Sequence, residues 1–95
     1  MIHSIIQVLP TNEYKVYIYF ANGKVKLYDA NDVIEKGIFT ILKDKKIFID
    51  RCTVLNNTLA WDIKGDYNSY DCIDLDPEVL YNNSITVEDP LKGYA

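Results

Sequence analysis

Residues 14–28 read YKVYIYFANGKVKLY, in which two runs of alternating side chains flank Asn22-Gly23. A period of two is typical of a strand with one buried face, and Asn-Gly is a preferred pair for a two-residue type I′ turn. We therefore predict an antiparallel hairpin in which Phe20 pairs with Val25.

That register predicts one apolar face and one polar face for the hairpin. The polar face, which we call the Tyr/Lys face, comprises Lys15, Tyr17, Tyr19, Lys24, Lys26 and Tyr28. Tyrosine supplies stacking area and a hydroxyl, and lysine supplies charge, a mixture suited to a protein interface or to single-stranded nucleic acid. A solvated face of a half-exposed sheet is the alternative interpretation.

The rest of the chain adds shorter elements around this hairpin. A strand is predicted in residues 2–9, a short helix capped by Asp29 and closed by Gly37, and a further helical turn in residues 38–42. Phe48 and Ile49 are predicted to lead back into the sheet.

A second hairpin is predicted in residues 52–61, with Cys52 opposite Trp61. Asp76 and Pro77 are typical of a helix start, and residues 85–87 are either a last short strand or an extended arm. The predicted fold is α+β, a single small antiparallel sheet of about five strands with two or three short helices on one face. Residues 1–82 form the domain and residues 83–95 a tail or short extra strand.

Composition and charge limit the function classes. The chain has 95 residues, 48% of them hydrophobic and 25% charged, which is typical of one folded domain. Residues 1–49 carry a net charge of +2 and residues 50–95 a net charge of -6, which together make the -4 of the whole chain. Because the acidic half repels phosphate, we do not expect generic nucleic-acid binding. The sequence shows no signal peptide, no membrane span and no disulfide framework, so we expect a cytoplasmic protein.

The order of these elements resembles a known family. A β-rich start, Asn22-Gly23, a short helix ending at Gly37, the Leu59-Ala60-Trp61 strand and the residues 74–81, DLDPEVLY, are similar to the small bacterial family of unknown function DUF2442. The resemblance covers roughly residues 2–82, although the connection from Asp62 to Asp71 is longer than in the family. It implies a small cytoplasmic α+β protein, sometimes encoded beside a partner in a toxin–antitoxin-like arrangement, with no catalytic residues to transfer.

Other candidate sites have weaker patterns. An acidic run could bind a cation through carboxylate oxygens, although it does not match a calcium loop; it comprises Asp62, Asp66, Asp71, Asp74, Asp76 and Glu78. His3 and Cys52 are the only conceivable base and nucleophile pair. We predict no catalytic, cofactor-binding or metal-binding residues.

We therefore expect a non-enzymatic interaction domain that binds another protein, in an antitoxin-like or regulatory role. The binding surface is the Tyr/Lys face, an exposed strand edge or the arm from Ile85 to Leu91. The alternative is a small nucleic-acid-binding module that uses the same face, and formation of a homodimer is also open.

Overall fold

The computed structural model describes residues 3–68 and 72–92 of the chain. The strands are β1 (Ile5–Pro10), β2 (Lys15–Phe20), β3 (Val25–Asp29), β4 (Cys52–Leu55), β5 (Thr58–Trp61), β6 (Ile73–Asp74) and β7 (Ile85–Thr86). The helices are α1 (Lys45–Asp50), α2 (Pro77–Asn83) and two 3₁₀ helices, Val33–Glu35 and Gly37–Lys43. The predicted α+β class is confirmed.

The strands form two antiparallel sheets, so the prediction of a single sheet of about five strands is wrong. The first sheet has the order β1-β2-β3-β7 and the second has the order β4-β5-β6. A backbone hydrogen bond of 2.9 Å from Ile5 N to Asn57 O connects β1 to the turn between β4 and β5. The register of β1 against β2 shifts between Ile5 and Gln7. Such a bulge increases the local twist, which opposes continuation of a flat ladder from β1 onto β4.

The second hairpin has the predicted register. Cys52 lies opposite Trp61 and Val54 opposite Leu59. Asn56 and Asn57 have φ angles of 53° and 63°, the left-handed conformation that a two-residue type I′ turn requires at both positions. Asparagine adopts this conformation more readily than other non-glycine residues, so Asn-Asn supports the tight turn.

The first hairpin differs from the prediction by one residue. Phe20 N donates to Lys24 O at 2.9 Å, and Gly23 N donates to Phe20 O at 3.0 Å, so the loop has three residues. Gly23 has a φ angle of +90°, whereas Asn22 is not left-handed, which is the pattern of a type I turn followed by a glycine bulge. Tyr19 therefore pairs with Val25 instead of Lys26.

The helical segments match the predictions only in part. Asp29 accepts a hydrogen bond of 3.0 Å from Asn31 N, but helical structure begins only at Val33 and is of the 3₁₀ type. Phe48 and Ile49, which were predicted to lead back into the sheet, lie in α1, and one residue separates this helix from β4. Asp44 starts this helix by accepting a hydrogen bond from Lys46 N. The helix predicted at Pro77 is confirmed as α2, with Asp76 as its N-cap.

Both sheets contribute to one core. Val16, Ile18 and Phe20 pack in the same buried cluster as Leu59 and Trp61. The indole of Trp61 is fully buried, and its Nε1 donates a hydrogen bond of 3.0 Å to Phe48 O in α1. This bond satisfies the polar atom of the largest core side chain. In residues 3–68 and 72–92, no helix is long and apolar enough to cross a membrane.

The observed hairpin register predicts which pairs of introduced cysteines can form a disulfide. Tyr17 and Leu27 are directly opposite and share one face, and the bonding pattern makes them a non-hydrogen-bonded pair with Cα atoms about 4.5 Å apart. A chain with Tyr17→Cys and Leu27→Cys should form a disulfide, because this spacing suits one. Tyr17→Cys with Tyr28→Cys should not, because these side chains point to opposite faces. Peptide mass mapping after oxidation distinguishes the registers, and cross-linking of the second pair alone would contradict the observed one.

Candidate functional site

The outward surface of the first sheet is defined by the buried strand β2. Val16, Ile18 and Phe20 are at most 1% exposed, so the intervening residues of β2 point away from the core. The strand pairings extend this outward surface to β1, β3 and β7. It comprises Gln7, Leu9, Lys15, Tyr17, Tyr19, Val25, Leu27, Asp29 and Ile85, and we call it the outer sheet face.

The outer sheet face is mostly apolar and aromatic. Leu9, Tyr17, Tyr19, Val25 and Leu27 are partly exposed, and none of them belongs to the hydrophobic side chains that pack against the core. Ile85, beside Leu27, is 64% exposed. Isolated exposed hydrophobic residues are common on protein surfaces, but a contiguous patch is typical of an interaction site.

The one-residue change of register divides the predicted Tyr/Lys face. Lys15, Tyr17 and Tyr19 lie on the outer sheet face, whereas Lys26 and Tyr28 point to the core side with Val16 and Ile18. Lys24 is exposed at the turn. The six predicted residues therefore do not form one surface.

Tyr28 is a packing residue. Its ring lies against the core cluster. Burial raises the pKa of its hydroxyl above the usual value, and the nearby carboxylates of Asp29 and Asp32 raise it further. A buried hydroxyl stays neutral because the low-dielectric surroundings disfavour the phenolate.

Lys26 holds helix α2 against the sheet through Tyr81. Its Nζ donates a hydrogen bond of 2.8 Å to Tyr81 O and lies 3.9 Å from the centre of the Tyr81 ring. His3 stacks on the same ring at 3.6 Å between centroids, with an interplanar angle of 1°. Because the imidazole covers one ring face at this distance, the ammonium lies over the other. The stack combines a cation–π contact with aromatic packing.

Tyr19 connects the outer sheet face to the segment after β7. Its hydroxyl donates a hydrogen bond of 2.5 Å to Asp89 Oδ1. Partial burial, and then this hydrogen bond, raise the pKa of Tyr19 to about 12. The same bond, helped by Leu91 N, lowers the pKa of Asp89. The neutral phenol and the ionised carboxylate therefore stabilise each other.

The end of the outer sheet face carries opposite charges. Lys15 lies directly across from Asp29, where an attractive pair of charges is favourable. The backbone N–H and then the side chain of Asn31 lower the pKa of Asp29, and Lys15 contributes a smaller attraction. Lys15 is the only lysine on this face, and its charge is balanced locally.

The acidic run does not assemble into a metal centre in the part of the chain that the structure describes. No group of three potential ligands occurs there. Asp62 is buried and accepts a hydrogen bond of 2.9 Å from Tyr67 N, whereas Asp76 accepts one of 2.8 Å from Glu78 N at the start of α2. Glu78 accepts a hydrogen bond from His3 N, and Asp71 lies outside the described residues.

His3 and Cys52 have different surroundings. The His3 side chain contacts Glu78, Phe20 and Tyr81. Cys52 lies opposite Trp61, and burial raises the pKa of its thiol to about 12. A thiol with that pKa is protonated at neutral pH and is a poor nucleophile.

Comparison with known families identifies the chain. Residues 5–86 match the family described as "Protein of unknown function (DUF2442)". The protein belongs to the DUF2442 family. This confirms the resemblance predicted from the turn, core and cap residues. No curated protein and no solved structure gives a significant match.

Sequence reasoning missed part of the outer sheet face of this DUF2442 protein. Leu9, Val25 and Leu27 were not among the predicted interface residues, and the two-residue turn assigned Val25 and Leu27 to the core. Ile85 was predicted only as part of a separate arm. One signal was available in the sequence: Tyr28 and Lys26 are amphipathic, so they can cover a core with ring and stem as well as they can face solvent.

Substitution of the two lysines should separate their roles. Lys26→Ala should lower the free energy of unfolding by about 1–2 kcal/mol, because it removes the bond to Tyr81 O and the cation–π contact. Lys24→Ala is the matched control and should change it by less than about 0.5 kcal/mol, because Lys24 is exposed. Urea denaturation followed by tryptophan fluorescence measures both. Equal effects would contradict the packing role of Lys26.

The bond between Tyr19 and Asp89 should have a defined pH range. The lowered pKa of Asp89 makes its contribution present above the ordinary carboxylate pKa and lost as the pH falls through the lowered value. The raised pKa of Tyr19 makes its contribution present below about 10 and lost as the pH rises through about 12. Spectroscopic titration of phenolate should show one group near pH 12 that Tyr19→Phe removes. A titration curve unchanged by Tyr19→Phe would contradict the assignment.

Proposed function

We propose that this DUF2442 protein is a non-catalytic interaction domain that binds a partner protein through the outer sheet face. The observation that carries the proposal is the contiguous set of partly exposed Leu9, Tyr17, Tyr19, Val25 and Leu27, which contribute nothing to the core. Burying such a surface against a partner is favourable by roughly 25 cal/mol per Å² of apolar area.

The size of the face indicates the kind of association. The four strands have 6, 6, 5 and 2 residues. At about 4.8 Å between strands and about 3.3 Å per residue they give a sheet surface of roughly 300 Å². Functional patches begin at about this size, but a stable complex buries about 800 Å² on each partner. The partner therefore binds weakly and reversibly, or extends beyond the sheet. An antitoxin-like or regulatory role in the bacterial cytoplasm, which keeps thiols such as Cys52 reduced, is consistent with this chemistry.

The geometry favours protein over nucleic acid as the ligand. A nucleic-acid site needs several lysines or arginines beside the aromatic rings. Only Lys15 shares the outer sheet face with Tyr17 and Tyr19, and it lies opposite Asp29. The charge that remains on this face does not provide a phosphate-binding stripe.

A photo-crosslinking amino acid at position 17 tests the proposal in native cells. It should give a discrete protein adduct, identified by mass spectrometry, because Tyr17 is at the centre of the outer sheet face. The same amino acid at Ile38 is the matched control, since Ile38 is 71% exposed and lies on a 3₁₀ helix instead of the sheet. Adducts of equal yield at both positions, or none at position 17, would reject this face as the site.

A charge substitution provides a second test of the proposal. In the chain with the crosslinker at position 17, Leu27→Lys should lower the adduct yield at least tenfold, because burial of an unpaired ammonium opposes apolar contact. Ile38→Lys should leave the yield unchanged. Circular dichroism and urea denaturation verify that every variant is folded.

A further inference from the structure

The segment after β7 returns to the first sheet. We call Val87–Lys92 the strap. Val87 N donates a hydrogen bond of 3.0 Å to Val25 O, which continues the pairing of β7 with β3. Asp89 then turns the chain: its Oδ1 accepts from Leu91 N at 2.8 Å and its backbone O accepts from Lys92 N at 3.1 Å. The strap therefore has a defined conformation.

The strap closes one end of the outer sheet face. β3 lies between β2 and β7, so the bond between Tyr19 on β2 and Asp89 after β7 passes over the outer surface of β3. The residue of β3 directly opposite Tyr19 is Val25. The Val25 end of the face is thus restricted, while Leu9, Leu27 and Tyr17 remain available.

Few interactions hold the strap in place. A cleft of about 570 Å³ lies where the strap meets the β2–β3 turn, and its lining includes Lys24 from the turn and Glu88 from the strap. Leu91 is 51% exposed and gains little from packing. β7 itself has two residues. The hydrogen bond from Tyr19 to Asp89 is therefore the main side-chain contact that fixes the strap, and its loss would free the segment at small cost.

We propose that the strap is an autoinhibitory element that competes with the partner protein for the Tyr19–Val25 end of the outer sheet face. This inference rests on the proposed function. Release of the strap exposes Val25 and frees the Tyr19 hydroxyl, which adds contact area where the patch is smaller than a stable interface needs. Partner binding and strap attachment are then mutually exclusive, and each weakens the other by the same factor.

Amide hydrogen exchange tests the attachment without a partner. Tyr19→Phe removes only the hydroxyl and should accelerate exchange of Val87 N–H about tenfold or more, because one charge-assisted bond is lost. The amides of Leu80 and Phe48, which bond within α2 and at the start of α1, should be unaffected. Tyr17→Phe is the matched control on the same face. Unchanged exchange at Val87, or equal acceleration at all three amides, would overturn the proposal.

Crosslinking tests the inhibition. Both chains carry the photo-crosslinker at position 17. The chain with Tyr19→Phe should give several-fold more partner adduct than the chain that keeps Tyr19. Faster exchange at Val87 without a rise in adduct would overturn the inhibitory role. Absence of any adduct in both chains would reject the proposed function and the inhibition with it, while the exchange experiment still reports separately on strap attachment.

Discussion

The length of the β2–β3 loop determines which side chains of the first sheet point outward. The loop has three residues, 21–23, and is closed by the hydrogen bond from Phe20 N to Lys24 O. Because side chains alternate between faces, a register one residue different would move every side chain of β3 to the other face. The turn therefore decides that Lys26 and Tyr28 point to the core side and that Val25 and Leu27 point outward.

The consequences extend to the helix and to the chain termini. Lys26 on the core side meets Tyr81, and His3 stacks on the opposite face of that ring, so α2 is fixed against the sheet. This arrangement uses the long stem of a lysine to cover apolar surface while its ammonium reaches a backbone carbonyl. On the outward side, Tyr19 reaches Asp89, so the same turn also positions the strap. One loop thus couples core packing and the exposed surface.

The outer sheet face offers a physical basis for the interaction role that we propose for this DUF2442 protein. A small domain has limited apolar surface with which to stabilise its fold, and partly exposed Leu9, Tyr17 and Leu27 are not used for that purpose. Their exposure is explained if a partner covers them. The proposed inhibition by the strap would add a means of control, because the strap restricts the Tyr19–Val25 end of this face.

The sequence by itself determined the elements whose signals are local. Alternation identified the β2–β3 and β4–β5 hairpins, Asn56-Asn57 gave a turn with one favourable conformation, and Asp76-Pro77 fixed the start of α2. The family assignment rests on the same turn, core and cap residues.

Only the tertiary structure decided the register of the first hairpin, the division into two sheets and the composition of the outer sheet face. Asn22-Gly23 is compatible with a two-residue or a three-residue loop, which differ little in local energy. The choice depends on whether Lys26 and Tyr28 pack better against Tyr81 and the core than Val25 and Leu27 do, and these contacts join residues far apart in the chain. Local propensity carries no information about such contacts, because tyrosine rings and lysine stems suit both a core edge and a solvated face.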